Sequence, residues 1–361
     1  MTLAVDARWM VGQYRGMGRY AHALIEPIAS EIQALLPSGY PPSIYPTIQA
    51  GSSFFPYWEQ VVLPRLCAAH GVTQLLCPYN TAPLCMPSST QLTLVVHDLI
   101  YLEPWSRLPP SVSAYQTLGR IYRRLVVPRV VGQAARLVTV SEYTRDQISK
   151  CFSIPKQNIH VIPNSLDEGW YVDVPLPWTH RQPYLLAVAG EAPSKNLPAL
   201  IQAFAAFRRV SGRTAVDSRL RIVGIKPAYQ QHFQHIADAA GVGQWTAFES
   251  FIDESALKKL YREAWLFVMP SLYEGFGIPL LEAMASGTPV VCSNTTSLPE
   301  VVGDAGWLFD PRDIDDMATQ LHSAWTDERG QFEFASQGLV RARHYSRSIV
   351  AKTIAGFWGT M

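Results

Sequence analysis

Two glutamates, Glu274 and Glu282, stand eight positions apart on either side of a glycine-rich turn. An ionised carboxylate only accepts hydrogen bonds, so carboxylates in such a turn suit the hydroxyl groups of a bound sugar. We expect Glu274 to hold a sugar and Glu282 to hold a ribose. Glu282 has a second interpretation, because an acid near a helix N-terminus is favourable by about 0.3–1 kcal/mol. Glu274 lies among glycines with no helix to stabilise, which favours a functional role.

The turn between the two glutamates has the pattern of an anion site. Residues 266–269 form an apolar run that predicts a buried strand, and Pro279 suits the first position of the next helix. A strand, a glycine turn and a helix N-terminus bring unpaired backbone N–H groups and a positive dipole end to one place. That place suits a phosphate, which Gly275 and Gly277 allow to approach the backbone.

A lysine at another predicted helix start supplies positive charge. Lys195 follows a strand predicted over residues 184–189 and precedes a helix that begins at Leu197. The helix dipole disfavours a cation at this end, so a bound anion is the natural explanation. A charge-assisted hydrogen bond to phosphate contributes about 1.5–3 kcal/mol, which exceeds the dipole penalty.

The composition indicates a protein of two domains that does not bind nucleic acid. A chain of 361 residues is too long for a typical single core, and 48% of it is apolar. Only 16% of the residues are charged and the formal net charge is +1, so no general attraction to nucleic acid is indicated. The five cysteines are odd in number and form no Cys-x-x-Cys pair, which is typical of free thiols in a reducing compartment.

The apolar runs predict a soluble, cytoplasmic protein. Residues 3–5 begin a strand without the basic start and apolar core of a signal peptide. No run reaches the roughly 18–20 residues of a membrane span, and the longest, residues 92–102, is interrupted by His97 and Asp98. Asp313 and Asp315 have the spacing of a metal site, but acids at the head of a predicted helix are ordinary first-turn residues. We therefore expect no metal.

The order of elements predicts the fold class. Strand and helix patterns alternate on both sides of a proline-rich stretch at residues 164–183. This order predicts two doubly wound, Rossmann-like α/β domains that face each other across a cleft. We place the first domain at residues 1–175 and the second at 176–345, with a final helix over 346–361.

A glycine string near the N-terminus matches the pattern of a dinucleotide-binding loop but not its surroundings. Residues 16–21, Gly-Met-Gly-Arg-Tyr-Ala, satisfy the Gly-x-Gly-x-x-Ala pattern of a dinucleotide site. In that site the first glycine follows its strand directly and an acid ends the next strand. Here about nine residues intervene, and the nearest acids, Glu26 and Glu31, belong to a helix predicted over residues 21–36. The string instead predicts a loop where backbone approaches a ligand.

His97 and Asp98 end a strong strand pattern over residues 92–96. Polar residues at the carboxyl end of a parallel strand sit where doubly wound sheets bind ligands. From its position alone, His97 is equally well interpreted as a hydrogen-bonded core histidine.

A helix predicted after Pro104 carries many arginines, including Arg120, Arg123 and Arg124. With Tyr122 and Leu125 they resemble a basic amphipathic face for an anionic bilayer. A charge run is more often a solvated surface, and both interpretations stay open.

The string Glu-Gly-Phe-Gly-Ile-Pro-Leu-Leu-Glu at residues 274–282 resembles the paired-glutamate signature of retaining family 4 glycosyltransferases, which have the GT-B fold. The continuation to Val291 is similar to the same family, which includes bacterial polysaccharide glucosyl- and mannosyltransferases. The resemblance covers nearly the whole chain, through the glycine string and through Trp58-Glu59-Gln60, His97-Asp98, Ser141-Glu142, Pro163-Asn164-Ser165 and Lys195-Asn196.

The resemblance implies roles for individual residues and places the final helix back on the first domain. The residues implied to bind the donor are Gly16, Gly18, Gly190, Lys195, Ser250, Phe251, Glu274, Gly275, Phe276, Gly277, Ile278, Pro279, Leu280 and Glu282. His97, Glu274 and Lys195 are implied to be catalytic, with His97 beside the donor sugar. Arg19 and Asp98 are implied to face the acceptor.

The chain departs from the family where positive charge is expected. The family carries Arg-Lys at positions 194–195 and a further basic residue near the preceding strand end, whereas this chain has Ser194 and Glu191. Only Lys195 is carried over, so at these positions the resemblance implies one cation on the diphosphate and not two.

The implied activity is retaining transfer of a hexose from a nucleotide diphosphate sugar, with UDP-glucose and GDP-mannose as leading donors. The acceptor would be a glycan or a lipid-linked glycan, with no metal or other cofactor, at the inner membrane face or in the cytoplasm. One rival is an epimerase or phosphorylase on the same fold. Another is a non-catalytic binding protein.

Overall fold

The computed structural model of the protein describes residues 2–12 and 16–359. Its internal contacts divide the chain into two compact units. The first comprises Met1–Leu102, Leu118–Ser165 and Arg347–Met361, and the second comprises Glu103–Thr117 and Leu166–Ser346. The sequence prediction had placed this division after residue 175 and assigned residues 103–117 to the first domain.

The first unit contains seven strands, all paired in parallel. These strands are β1 Leu3–Asp6, β2 Ile32–Leu36, β3 Thr47–Gln49, β4 Gln74–Cys77, β5 Gln91–Val96, β6 Arg136–Thr139 and β7 Ile159–Val161. Their order across the sheet is β3-β2-β1-β4-β5-β6-β7. The interior strands are apolar on both faces because helices cover both sides.

The helices of the first unit lie between these strands. They are α1 Gly16–Ile25, α2 Phe55–Tyr57, α3 Leu63–Ala69, α4 Ala114–Val130 and α5 Glu142–Phe152, with a π-helix at Trp58–Val62 and 3₁₀ turns at Glu26–Ile28, Ile100–Leu102, Val131–Gln133 and Lys156–Asn158. The first four residues of α4, up to Thr117, belong to the second unit. The final helix, Arg347–Gly359, belongs to this unit, where the Trp358 indole N–H donates to the Leu24 carbonyl at 2.6 Å. The single helix predicted over residues 21–36 is wrong, because α1 ends at Ile25 and β2 occupies Ile32–Leu36.

The second unit contains a sheet of six parallel strands. These strands are β8 Gln182–Val188, β9 Arg219–Val223, β10 Thr246–Glu249, β11 Ala264–Met269, β12 Val290–Ser293 and β13 Trp307–Phe309. Their order is β10-β9-β8-β11-β12-β13. The helices are α6 Leu197–Ser211, α7 Pro227–Ala239, α8 Glu254–Glu263, α9 Ile278–Ala285, α10 Leu298–Val302, α11 Ile314–Thr326 and α12 Glu328–Arg343, with 3₁₀ turns at Glu168–Trp170, Trp178–His180, Pro193–Lys195, Gly212–Ala215 and Gly243–Trp245.

Both sheets therefore have the doubly wound parallel topology that the sequence predicts. Each has a point where the chain reverses its direction of travel across the sheet, between β1 and β4 in the first unit and between β8 and β11 in the second. Doubly wound sheets bind ligands outside the carboxyl ends of the strands at such points. In the described part of the chain, no helix has both the length and the apolar character needed to cross a bilayer.

Two buried carboxyl groups lie near the carboxyl end of β1. Asp6 is 3% exposed and accepts hydrogen bonds from the Trp58 indole at 3.1 Å and from the Arg8 backbone N–H at 3.3 Å. Glu59, in the π-helix, is 1% exposed and accepts from Tyr122 at 2.6 Å, from Gln60 at 2.8 Å and from Thr81. Burial raises the pKa of Asp6 to about 6 and that of Glu59 to about 7.

The raised pKa of Glu59 predicts a pH-dependent stability. Between its unfolded pKa of about 4.3 and its folded pKa of about 7, the folded state retains a proton that the unfolded state has lost. The free energy of unfolding should therefore fall as the pH rises through this window, by up to about 1.4 kcal/mol per pH unit for this one group. Urea unfolding at pH 5, 6 and 7 should show a shallower decline for Glu59→Gln than for the wild type.

Glu31→Gln is the matched control, because Glu31 is an exposed acid in the same unit. It should keep the pH dependence of the wild type. Equal slopes for Glu59→Gln and the wild type would contradict the raised pKa.

Candidate active site

The residues predicted to form the site lie at the carboxyl ends of the two sheets. Gly16, Gly18 and Arg19 are in the first turn of α1, after β1, while His97 and Asp98 follow β5 in the same unit. The remaining predicted residues lie in the second unit. They are Gly190 and Lys195 after β8, Ser250 and Phe251 after β10, and Glu274, Gly275, Phe276, Gly277, Ile278, Pro279, Leu280 and Glu282 after β11.

Lys195 and Glu274 meet at the reversal point of the second sheet. The Lys195 ammonium lies 2.6 Å from Oε1 of Glu274, and the two side chains are 25% and 14% exposed. The backbone joins the same two loops, because the Leu272 N–H donates to the Ser194 carbonyl at 2.7 Å. Lys195 ends a 3₁₀ turn, and left-handed Asn196 separates it from α6. A cation and a carboxylate are therefore held together at the crevice where such sheets bind ligands.

The turn after Glu274 is fixed by the loop that follows β12. The Glu274 N–H donates to the Thr296 hydroxyl at 3.2 Å, and the buried Ser297 hydroxyl donates to the carbonyls of Glu274 at 3.1 Å and Phe276 at 2.9 Å. The sequence analysis missed Thr296 and Ser297, although the polar run at residues 293–297 after a predicted strand was a signal. These contacts hold the start of α9 in one conformation.

Gly277 is the N-cap of α9 and has φ 110° and ψ 53°, a backbone conformation that L side chains rarely adopt. A Cβ added there would lie 2.7 Å from Cδ2 of Leu298. Pro279 lies in the first turn, as predicted, and α9 points its N-terminus toward the carboxyl edge of the sheet. The start of α9 thus has the geometry that favours an anion.

Glu282 is buried behind this turn, at 5% exposure. The hydroxyl of Tyr261, itself fully buried, donates to Oε2 of Glu282 at 3.0 Å. Burial and the nearby Glu282 carboxylate raise the pKa of Tyr261 well above its usual value, so it stays a donor. The role of Glu282 toward a ribose stays a prediction.

At the carboxyl edge of the second sheet, Ser250 and Phe251 follow the outer strand β10. The Gln230 side-chain amide donates to the Ser250 hydroxyl at 3.1 Å, and Phe251 is 65% exposed. A Cβ at Gly190 would meet no atom within 4 Å, so space is open beside the end of β8.

His97 is a buried, neutral histidine in the first unit. Its ring Nε2 lies 2.8 Å from the Pro78 carbonyl, its backbone N–H donates to Asn80 at 2.6 Å, and its ring meets the edge of Tyr20 at 5.0 Å. A carbonyl only accepts, so Nε2 carries the hydrogen. Burial lowers the pKa of His97 to about 4, which leaves the ring neutral at pH 7. Both interpretations of His97 remain compatible with this geometry.

The acceptor-side candidates, Arg19 and Asp98, follow different strands at the carboxyl edge of the first sheet. Arg19 is exposed on α1, and Asp98 accepts a hydrogen bond from the Ile100 N–H at 3.1 Å. Within the described residues, no three His, Cys, Asp or Glu side chains are grouped so as to hold a metal. Asp313 instead caps α11, accepting from the N–H groups of Asp315 and Asp316 at 3.0 Å each.

The conformation of Gly277 yields a stability prediction. Gly277→Ala places a side chain at a positive φ and against buried Leu298, so it should destabilise the protein by about 1–3 kcal/mol. Thermal unfolding should show a lower Tm for Gly277→Ala. Gly190→Ala, in the same unit at an ordinary φ with open space, should leave the Tm nearly unchanged. An unchanged Tm in Gly277→Ala would refute the assigned conformation.

Two family models match the chain in succession. Residues 16–170 match the model described as Glycosyltransferase Family 4, and residues 173–338 match the model described as Glycosyl transferases group 1. Among relatives, the O-antigen chain mannosyltransferase B of Escherichia coli is 33% identical over 224 residues, covering 59% of this chain and 57% of the relative. The O-antigen chain mannosyltransferase RfbU of Salmonella typhimurium is 27% identical over 261 residues, covering 72% and 66%. The chain spans less than two thirds of the length of these relatives.

Solved structures share the fold over nearly the whole chain. WaaG, a glycosyltransferase involved in lipopolysaccharide biosynthesis, superposes with a TM-score of 0.75 at 17% identity, covering 99% of this chain and 100% of WaaG. The sucrose-phosphate synthase of Thermosynechococcus elongatus gives a TM-score of 0.74 at 17% identity, covering 99% and 98%. These likenesses show the GT-B fold. The two family models, which match residues 16–170 and 173–338, show that the chain belongs to the family 4 glycosyltransferases.

Proposed function

We propose that the protein transfers a hexosyl group from a nucleotide diphosphate sugar to a glycan or lipid-linked acceptor in polysaccharide biosynthesis, with retention of anomeric configuration. The observation that carries this proposal is the Lys195–Glu274 pair, at 2.6 Å beside the start of α9. The names of the two bacterial relatives support mannose as the transferred sugar and polysaccharide synthesis as the process. GDP-mannose is therefore the first donor to test, and UDP-glucose is the second.

The donor diphosphate would lie on the N-terminus of α9 and on Lys195. Charge grows on the leaving diphosphate as the glycosidic bond breaks, and fixed donors lower the barrier most where the charge develops. Glu274 holds Lys195 at 2.6 Å, and the contacts of Thr296 and Ser297 fix the backbone at Glu274 and Phe276, directly before the N–H groups of Gly277 and Ile278. This positive field makes a metal unnecessary, so we propose no cofactor.

Glu274 would accept hydrogen bonds from the transferred sugar. Its Oε1 accepts from Lys195, and a carboxylate has further lone pairs for hydroxyl groups. For Glu282 we propose the ribose, for Ser250 and Phe251 the base, and for His97 contact with the sugar. A neutral His97 with its hydrogen on Nε2 would offer the lone pair of Nδ1 as an acceptor. Arg19 and Asp98 are proposed to face the acceptor.

The activity prediction is metal-free turnover that depends on Glu274 and Lys195. Purified protein in EDTA should hydrolyse one nucleotide sugar slowly, and that nucleotide should raise the Tm. Glu274→Ala should lower turnover about 100-fold or more, because it removes a contact to the reacting sugar. Lys195→Ala should weaken the Tm shift by the nucleotide, because it removes a charge from the diphosphate site.

Glu263→Ala is the matched control, because it breaks the Lys259–Glu263 ion pair at the C-terminal end of α8, which leads into the start of β11 and so lies at the opposite edge of the sheet. It should keep wild-type turnover. NMR of the product anomer tests retention. Unchanged turnover in Glu274→Ala would overturn the assignment of the site. Conversion of the donor to a sugar epimer would favour an epimerase, and a requirement for phosphate would favour a phosphorylase.

We also propose that one face of α4 contacts an anionic membrane that carries the acceptor. Leu118, Ile121 and Leu125 are 66%, 43% and 57% exposed. Their helical spacing places them within about 60° of arc, and by the same spacing Arg124 and Arg129 flank them. Apolar side chains between arginines match the apolar interior and anionic headgroups of such a bilayer.

Vesicle binding tests this face. Leu118→Ser with Leu125→Ser should lower co-sedimentation with vesicles of anionic phosphatidylglycerol about tenfold or more, because two apolar anchors are lost. Val210→Ser with Val340→Ser is the control, since these valines are 67% and 65% exposed on other helices. Wild-type protein that binds neutral phosphatidylcholine equally well, or not at all to either vesicle, would contradict the proposal.

A further inference from the structure

Glu191 is a buried acid at the edge proposed for the donor. It lies in the loop after β8, and its side chain is only 3% exposed. Its Oε1 accepts from the Lys226 ammonium at 2.8 Å and from the Gln116 amide at 3.1 Å. The Ser111 hydroxyl donates to the Gln116 carbonyl oxygen at 2.7 Å, so the amide N–H groups of Gln116 face Glu191. One buried carboxylate thus has one cation and one oriented neutral donor.

The backbone brings Lys226 to this place. Lys226 follows β9, which is the neighbour of β8 in the sheet, and β8 is the neighbour of β11. At Gly224, φ is 108°, and a Cβ there would lie 2.9 Å from the Ala189 carbonyl oxygen. The ends of β8 and β9 therefore approach closely, and the loops bearing Lys226, Lys195 and Glu274 share one edge.

The charges of Glu191, Lys195 and Glu274 balance only if Lys226 is added to them. Lys195 is paired with Glu274, so Glu191 without a cation would leave a net negative charge where a diphosphate is proposed to bind. Like charges in a partly desolvated site repel strongly. Glu191 and Ser194 occupy positions where the resemblance to the family implies basic residues. Lys226, reaching over from the next strand, supplies the missing positive charge.

We propose that Lys226 is a positioning residue that lets the donor site accept a diphosphate by neutralising Glu191. This inference rests on the proposed donor site. The Lys226 side chain is 53% exposed, whereas its partner carboxylate is buried and depends on that ammonium for compensation of its charge. The exposed ammonium also acts electrostatically on anions that approach the edge. It makes diphosphate affinity depend on a pair of residues outside the α9 turn.

A double-mutant cycle tests the inference. Calorimetric titration with GDP and UDP at low ionic strength gives the Kd for the wild type, Lys226→Met, Glu191→Gln and the double variant. Lys226→Met should weaken binding of the better diphosphate about tenfold or more, and the corresponding nucleoside should bind all variants alike. The double variant should return to within about threefold of the wild type, because no charge is left to neutralise.

Lys226→Arg should bind the diphosphate as the wild type does, because it keeps the charge. Lys259→Met, which removes a lysine that is 73% exposed on α8, is the control for general charge and should also bind like the wild type. The loss in Lys226→Met should shrink as salt is added, whereas a purely structural effect would not.

Two results overturn the inference while leaving the donor site intact. One is wild-type affinity in Lys226→Met. The other is a double variant as weak as Lys226→Met, which would mean that Lys226 does not act through Glu191. If the wild type binds neither GDP nor UDP, the proposed donor site itself fails, and this inference fails with it.

Discussion

Parallel strand pairing is the constraint on which the rest of this chain depends. Every strand pair in both sheets is parallel, so the carboxyl ends of neighbouring strands lie at one edge. Loops that are far apart in sequence meet there, as Lys195 and Glu274 do across the reversal between β8 and β11. Backbone hydrogen bonds and buried apolar faces fix this edge. The side chains on it can therefore be polar and charged without weakening the core.

The turn before α9 is held rigid by its neighbours rather than by its own sequence. Gly277 takes a conformation that suits glycine, and the hydroxyls of Thr296 and Ser297 hold the backbone of Glu274 and Phe276. Donors that are already in place need no reorganisation when charge develops nearby. The loop after β12 therefore fixes the position and direction of the N–H groups at the start of α9.

The two edges differ in how they manage charge. In the first unit, burial raises the pKa of Asp6 and Glu59 and lowers that of His97, so these three groups carry less charge near pH 7 than their types suggest. In the second unit, Lys195 forms an ion pair with Glu274 and Lys226 forms one with Glu191. A neutral histidine suits contacts with hydroxyl groups, whereas a paired cation can turn toward an anion that binds beside it.

The sequence alone determined the fold class, the family and the strand–turn–helix pattern around Glu274, because local periodicity, glycine and proline carry those signals. It failed at residues 21–36, where a short apolar run fits helix and buried strand equally well and pairing with β1 decided for β2. Only the tertiary structure paired Lys195 with Glu274, 79 positions away, and Lys226 with Glu191, 35 positions away. Side chains so far apart in sequence share no local pattern, and the order of strands in the sheet decides which of them meet.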